Sequence, residues 1–121
     1  MYLIAAEASL GLSNTSDAQG YLNKLMKYRE PSFAGYTSTG ATLLNDIVTE
    51  RRKELAFEGD RFYDLNRLKL DMNRISLSSG SIPGPVDVPY SDYRRIAPIP
   101  LGELQANPNI VPQQNPDYGG L

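Results

Sequence analysis

The first thirty residues carry apolar side chains at helical spacing in two successive segments. Within each segment the apolar positions recur at intervals of three, four and seven residues, which places them on one face of a helix. They are Leu3, Ala6 and Leu10 in the first segment, and Ala18, Tyr21, Leu22 and Leu25 in the second. Residues 11–14 end the first helix, and Ser16 with Gln19 three residues later has the spacing of a capping box. The pattern predicts a helical hairpin over residues 1–30, ended by Pro31.

A third apolar pattern begins after a loop over residues 31–41 and continues to residue 68. Thr39 or Thr42 is a suitable N-cap for it. Its apolar positions are Leu43, Leu44, Ile47, Val48, Leu55, Phe62, Leu65 and Leu68. Gly59 interrupts this long helix, and the pattern allows either a kink there or a break into two helices.

Residues 76–121 differ in composition from the rest, since they contain eight of the nine prolines and are rich in glycine. Such a segment cannot sustain long helices or a central strand. A short helix over residues 101–106 is expected after Pro100. The remainder is predicted to be an ordered, irregular wrap that inserts apolar side chains into grooves of the helical part, because it is too apolar for a disordered tail. Those side chains include Ile96, Ile99, Leu101, Leu104, Ile110 and Val111.

These patterns predict an all-α fold in a single domain over residues 1–121, helical over 1–75 and irregular over 76–121. A chain of 121 residues supports one modest core. It has no cysteine and no histidine, which excludes the usual zinc sites and the common nucleophile–imidazole pairs. We therefore expect no metal and no cofactor. A net charge of −2 disfavours nucleic-acid binding. No segment has the ~20 apolar residues of a membrane span, and no secretion leader follows Met1.

Charged side chains interrupt the apolar face of the third helical pattern. Arg51 and Glu58 fall within that face, so we expect both to be buried and bonded to the loop and the wrap. Glu54 and Glu58 lie one helical turn apart, and a glycosidase acid–base pair is their functional interpretation, but carboxylates on one helix point the same way and do not readily flank a bond. Nearby arginines, Arg61 among them, favour the ionised form of both acids, so neither is suited to act as a general acid. The sequence predicts a structural ion-pair set of Arg51, Glu54, Glu58 and Arg61, no catalytic residue and no enzyme activity.

Four segments of the chain occur in the order typical of one protein family. Residues 50–65 read ERRKELAFEGDRFYDL, residues 2–8 read YLIAAEA, residues 99–109 read IPLGELQANPN, and residues 114–118 read QNPDY. Together they resemble the C-terminal portion of the SusD/RagB family, the nutrient-binding lipoproteins of the outer membrane of Bacteroidetes-type bacteria. The chain departs from the family pattern at Asp60 and Asp117.

The resemblance implies a tetratricopeptide-like helical scaffold and a role in glycan capture at the outer face of the outer membrane. Such a protein holds an oligosaccharide or polysaccharide ligand and acts as a hinged lid on a SusC-like TonB-dependent transporter, and it breaks no bond. Its contact with the membrane runs through a lipid anchor that lies outside this sequence. The alternative is a tetratricopeptide-type module that binds another protein and no sugar.

If the chain binds sugar, aromatic side chains in its loops are the candidate platforms. A pyranose ring packs its apolar face on an aromatic ring, and polar groups around it select the sugar. Tyr90 and Tyr93 lie beside Arg94, whose planar guanidinium suits bidentate contacts. With Tyr36 from the earlier loop, these are the predicted ligand-binding residues.

Overall fold

The computed structural model describes residues 1–73, 87–115 and 117–118. Five α-helices, two short strands and two 3₁₀ turns follow one another in this part of the chain. They are α1 (Tyr2–Gly11), α2 (Thr15–Arg29), α3 (Gly40–Glu54), α4 (Arg61–Arg67), β1 (Met72–Asn73), β2 (Asp87–Val88), a 3₁₀ turn (Tyr93–Arg95), α5 (Leu101–Ala106) and a second 3₁₀ turn (Pro108–Gln113). The prediction of an all-α fold is confirmed, and its tetratricopeptide-like character stays a prediction.

The chain forms two compact units, Met1–Arg61 and Phe62–Leu121. The sequence placed the change of character later, between residues 75 and 76, and the single-domain interpretation of the whole chain stays a prediction. Of the predicted wrap, residues 76–86, 116 and 119–121 lie outside the described residues.

The first unit is a helical hairpin, α1 and α2, joined by α3. Its core consists of apolar side chains contributed by all three helices. The buried members are Leu3, Ala6, Ala18, Leu22, Leu43 and Ile47, with Leu10, Leu25 and Tyr36 packed partly buried against them. The helical spacing identified most of these residues correctly. Tyr21 is the exception, because its side chain lies at the edge of the α2 stripe and is exposed.

Helix α2 begins two residues earlier than the capping-box spacing predicted. Asn14 is its N-cap, and the Asn14 side chain accepts a hydrogen bond from the Asp17 backbone N–H at 3.2 Å. The Asn14 side-chain N–H in turn donates to the Asp17 carboxylate at 2.7 Å, so each residue satisfies a hydrogen-bonding group of the other. Ser16 therefore lies inside the first turn, and its prediction as the cap is wrong. Gln19 instead donates to the Ser38 carbonyl at 2.8 Å and ties α2 to the following loop.

The third helical pattern is two helices separated by a turn over residues 55–60. Helix α3 ends at Glu54, and α4 begins at Arg61. Phe57 and Gly59 both adopt left-handed backbone, with φ of +69° and +85°, which no continuous α-helix allows. Of the two alternatives, the break is correct. Glu58 lies in this turn and is exposed, so the prediction that it is buried is wrong.

The second unit contains α4 from Phe62 onward, the paired strands and the described part of the wrap. Strands β1 and β2 run antiparallel, with Met72 opposite Val88. Helix α5 occupies the residues predicted for it.

Side-chain amides fasten the wrap where apolar anchors were predicted. Gln114 accepts from the Ile99 N–H at 2.8 Å and donates to the Ile99 carbonyl at 3.1 Å. Asn115 donates to the Ala97 carbonyl. Ile96, Leu101 and Val111 are exposed, so the prediction that the wrap is held by inserted apolar side chains is wrong for these three.

Candidate functional site

The second unit contains a cavity of about 430 Å³ that combines aromatic and polar groups. Its volume lies in the range of small-molecule sites, roughly 300–1,000 Å³. Helix α4, the segment around the first 3₁₀ turn and the closing segment of the chain contribute to its lining. The lining residues used below are Asn66, Tyr90, Asp92, Tyr93, Arg95, Asn115 and Asp117. The structure therefore brings Tyr90 and Tyr93, two of the predicted ligand-binding residues, to one cavity.

Backbone bonds at both ends fix the segment that carries the two tyrosines. The Tyr90 N–H donates to the Asp71 carboxylate at 2.7 Å. Two residues later, the Asp92 N–H donates to the Pro89 carbonyl at 3.0 Å, which closes a turn. The Asp92 side chain caps the 3₁₀ turn by accepting from the Arg94 N–H at 3.0 Å. The residues Tyr90 and Tyr93 remain 41% and 40% exposed, so both are available to a ligand.

Two neighbours hold the Tyr93 ring. Tyr118 meets it edge to face, with 5.0 Å between ring centroids and 76° between ring planes, a favoured aromatic arrangement. The Arg94 guanidinium lies 5.7 Å from the centre of the same ring, within cation–π range. The ring is thereby oriented in advance of any ligand, which lowers the entropic cost of binding.

A buried arginine, Arg95, forms part of the cavity lining, and its burial was not predicted from the sequence. The Arg95 side chain is 5% exposed. Its Nε donates to the Asn66 side-chain oxygen at 2.8 Å, Nη1 to the Val88 carbonyl at 3.2 Å, and Nη2 to the Leu70 carbonyl at 3.1 Å. One guanidinium thus joins α4, the segment after it and β2 to the 3₁₀ turn. No periodicity marks Arg95, because its partners lie up to 29 residues away along the chain.

Arg94, another predicted ligand-binding residue, is engaged by its neighbour Asp92. Its Nε and Nη2 donate to the two Asp92 carboxylate oxygens at 2.8 and 2.5 Å, a bidentate pair. These bonds lower the pKa of Asp92 to about 2, so its carboxylate is ionised near neutral pH. The same pair raises the pKa of Arg94. Arg94 contacts the Tyr93 ring but is not among the residues that line the cavity.

Tyr36, the fourth predicted ligand-binding residue, lies in the first unit and fastens a loop. The Asn23 side chain accepts from the Tyr36 N–H at 2.6 Å and donates to its carbonyl at 3.1 Å. The Tyr36 hydroxyl donates to Glu50 at 2.7 Å, and the Lys53 ammonium donates to the same carboxylate oxygen at 2.6 Å. Burial, together with the bond to Glu50, raises the pKa of Tyr36. Its contacts are those of a packing residue, and its role in binding stays a prediction.

The predicted ion-pair set has a different arrangement from the one expected. Glu54 pairs with Arg29 of α2, and the two residues share a bidentate contact that raises the pKa of Arg29. Arg51 and Arg61 also make side-chain interactions. The buried acid of α3 is Glu50, which is 5% exposed. Sequence held a signal for it, because Glu50 follows Leu43 by seven residues and Ile47 by three on the buried face.

The carboxylates do not form an acid–base pair on one helix. Glu54 ends α3 and Glu58 lies in the turn beyond it, so the helical spacing that suggested the pair does not apply. Within residues 1–73, 87–115 and 117–118, no three acidic side chains gather as a metal site would require. In the same residues, no helix combines the length and the apolar character that a bilayer span needs.

Comparison with known proteins adds a family match. The family model of the SusD family matches residues 1–118 of the chain. SusD-like protein P2 of Formosa agariphila is 39% identical over 127 aligned residues, which cover 96% of this chain and 24% of that protein. SusD-like protein P25 of the same organism is 33% identical over 117 aligned residues, covering 92% of this chain and 21% of that protein. The chain therefore spans less than a quarter of the length of these curated relatives. No solved structure matches it.

Proposed function

The chain belongs to the SusD family, and from that premise we propose that the protein captures glycans as nutrients at the outer face of the bacterial outer membrane. It binds an oligosaccharide or polysaccharide and delivers it to a SusC-like TonB-dependent transporter. A lipid anchor outside this sequence attaches the protein to the membrane. Family membership supports the capture role, and the cavity of the second unit supports a place for the ligand.

The observation that carries the proposal is the presence of Tyr90 and Tyr93 at one cavity, both of them partly exposed. Sugar rings have an apolar face that packs on aromatic rings and a rim of hydroxyls that hydrogen-bonds. The amides and carboxylates of the same cavity supply partners for that rim. A few polar groups set among aromatic side chains are typical of small-molecule sites.

Three acidic side chains, one of them Glu54 of the acid–base pair considered from sequence, are engaged by cations, which supports binding without bond cleavage. Glu50 accepts from Lys53, Glu54 is paired with Arg29, and Asp92 with Arg94. A general acid must hold a proton near its working pH. The pairing with Arg94 lowers the pKa of Asp92 to about 2, so this cavity acid, which lies beside Tyr93, is unsuited to that role.

A glycan array followed by a reducing-end assay tests this function. We expect the purified protein to bind at least one oligosaccharide reversibly and to release no new reducing ends from it after prolonged incubation. Release of reducing ends would contradict the proposal and favour a glycosidase.

A second arm tests delivery to the transporter. We expect co-purification of the protein with a SusC-like transporter from outer membranes. Retention of the transporter without affinity for any sugar would instead favour the protein-interaction module.

A further inference from the structure

We propose that Phe62 and Tyr63 form a second sugar subsite beside the cavity lined by Tyr90 and Tyr93, and that this subsite holds a further sugar unit of the same oligosaccharide. The inference rests on the proposed glycan binding and extends it, because the ligand then spans two aromatic surfaces. It follows from the contacts that join these surfaces within the second unit.

Helix α4 carries two neighbouring aromatic side chains, Phe62 and Tyr63, that are not among the described residues of the cavity lining. Phe62 is 39% exposed and Tyr63 is 71% exposed. Their rings meet edge to face, with 5.8 Å between ring centroids and 79° between ring planes, a favoured aromatic arrangement. This aromatic pair therefore presents an ordered apolar surface to a ligand.

Arg95 and Asn66 connect the aromatic pair to the cavity, since both residues line it. The central guanidinium carbon of Arg95 lies 5.9 Å from the centre of the Phe62 ring, within cation–π range. Asn66 follows Tyr63 by three residues and Phe62 by four on α4, the spacing that places side chains on one face of a helix. One helical turn rises about 5.4 Å. The aromatic pair thus begins about one turn along α4 from the cavity.

The two aromatic surfaces are built alike. In the cavity, Tyr118 meets the Tyr93 ring edge to face. On α4, Phe62 meets the Tyr63 ring edge to face, and Arg95 in turn contacts the Phe62 ring. Each exposed tyrosine is oriented by a second ring before a ligand arrives, which lowers the entropic cost of binding.

The occupant that fits the aromatic pair is a sugar unit linked to the one in the cavity. The two contacts of the Phe62 ring place the centre of the Tyr63 ring within about 12 Å of the Arg95 guanidinium. A short oligosaccharide covers that span, and each of its pyranose rings offers an apolar face to an aromatic side chain. A second contact made by a ligand that is already bound adds affinity. Affinity should therefore rise with chain length until both surfaces are filled.

A series of oligosaccharides of increasing length tests the inference. The glycan that binds on the array is hydrolysed to members of one to six sugar units, and each member is titrated into the purified protein by calorimetry. We expect the affinity to rise by at least about tenfold from the smallest member that binds to the longest. Equal affinity across the series overturns this inference and leaves glycan binding standing.

Variants of Tyr63 locate the added affinity. Tyr63→Ala should lower the affinity for the longest member at least about fivefold and leave the affinity for the smallest member that binds unchanged. Tyr63→Phe keeps the ring and should bind every member as the unmodified protein does. Tyr28→Ala is the matched control, since Tyr28 is 74% exposed and lies in the first unit, and it should change none of the affinities.

Two results of the variant series overturn the inference and leave the proposed function standing. One is unchanged affinity of Tyr63→Ala for the longest member. The other is an equal loss for every member, because Tyr63 would then act on the cavity and not as a separate subsite. If no member of the series binds to the unmodified protein, the proposed function fails, and this inference fails with it.

Discussion

The two units of the protein are stabilised by different means. In the first, three side chains of the core, Leu22, Leu43 and Ile47, are fully buried, and helices α1 to α3 all contribute to the core. In the second, the described buried residues are few, and two of them are charged: Asp64 and Arg95 are buried, as are Leu65 and Val88. Amide and guanidinium groups bond to backbone carbonyls there, whereas in the first unit the amides of Gln19 and Asn23 fasten a loop beside an apolar core.

The difference bears on function because the candidate ligand cavity lies in the unit held by polar bonds. A loop segment cannot bury enough apolar surface to fix its own conformation, so directional bonds must do so. These bonds determine where the rings of Tyr90 and Tyr93 stand. Apolar truncation should therefore be most damaging in the first unit, and removal of polar groups most damaging to the site in the second.

The largest expected effect is that of Leu22→Ala in the first unit. Leu22 is fully buried in the shared core, so its truncation leaves a cavity and should lower the free energy of unfolding by about 2–5 kcal/mol. Urea unfolding followed by circular dichroism measures it. Leu12→Ala is the matched control, because Leu12 is 82% exposed and should change stability by no more than about 0.5 kcal/mol. Equal effects of the two variants would contradict the assigned core.

Arg95→Met is the corresponding test of the second unit. It removes the donors to Asn66, Val88 and Leu70 and should lower the free energy of unfolding by about 1–3 kcal/mol. Arg94→Met is the control, since the Arg94–Asp92 pair is exposed and should contribute little to stability. The same urea series measures both variants. A larger loss in the Arg94 variant would show that the polar framework has been assigned to the wrong arginine.

Tyr36→Phe should have a smaller effect, a loss of about 1 kcal/mol. The substitution removes one hydrogen bond to the buried carboxylate of Glu50, while the bond from Lys53 remains. Comparison with Tyr28→Phe, at an exposed tyrosine, gives the background in the urea unfolding assay. A Tyr36→Phe variant as stable as this control would mean that the hydroxyl does not fasten the loop.

A pH titration of the tyrosines gives a second test of the Tyr36–Glu50 hydrogen bond. Because the pKa of Tyr36 is raised above its ordinary value near 10, Tyr36 should remain protonated at pH values where exposed tyrosines ionise. Its contribution to stability is present below pH 10 and is lost as the pH rises through its folded pKa. Ultraviolet difference spectra should show one late-titrating tyrosine, which is absent in Tyr36→Phe. Titration of all tyrosines together in the folded protein would contradict this assignment.

The smallest effect is expected at low pH. The pKa of Asp92 is lowered from 3.8 to about 2, so its stabilising contribution is present above pH 3.8 and is lost as the pH falls toward 2. Near-ultraviolet circular dichroism should report a change around Tyr93 over that range, because Arg94 is then released. Asp92→Asn should abolish that part of the pH dependence. If the change persists in this variant, it arises from another acid.

The first unit was the more predictable from sequence because apolar periodicity carries its fold. Leu3, Leu22 and Ile47 reach the core through local helical spacing. The start of α2 was misplaced, since Asn14 and Ser16 are both good N-cap residues and the choice depends on where the first helical hydrogen bond forms. The break after α3 depends on the left-handed backbone of Phe57. This conformation is uncommon for a non-glycine residue, so it could not be predicted from the sequence.

The candidate site was only partly predictable. Aromatic residues in a charged loop identified Tyr90 and Tyr93, and the structure brings them to one cavity. Sequence could not reveal Arg95 as its support, because that arginine pairs with a side chain and carbonyls that are distant in the chain. Nor could the sequence show that the Arg94 guanidinium is already paired with Asp92.

Isothermal calorimetry on tyrosine variants tests whether the protein holds a glycan on Tyr90 and Tyr93, as we propose. A glycan that binds the unmodified protein is titrated into Tyr90→Ala, Tyr93→Ala and the control Tyr28→Ala, whose tyrosine is exposed outside the cavity. We predict at least about a tenfold loss of affinity for each cavity variant and unchanged affinity for the control. Unchanged affinity in both cavity variants, with their folding intact by circular dichroism, would contradict the claim.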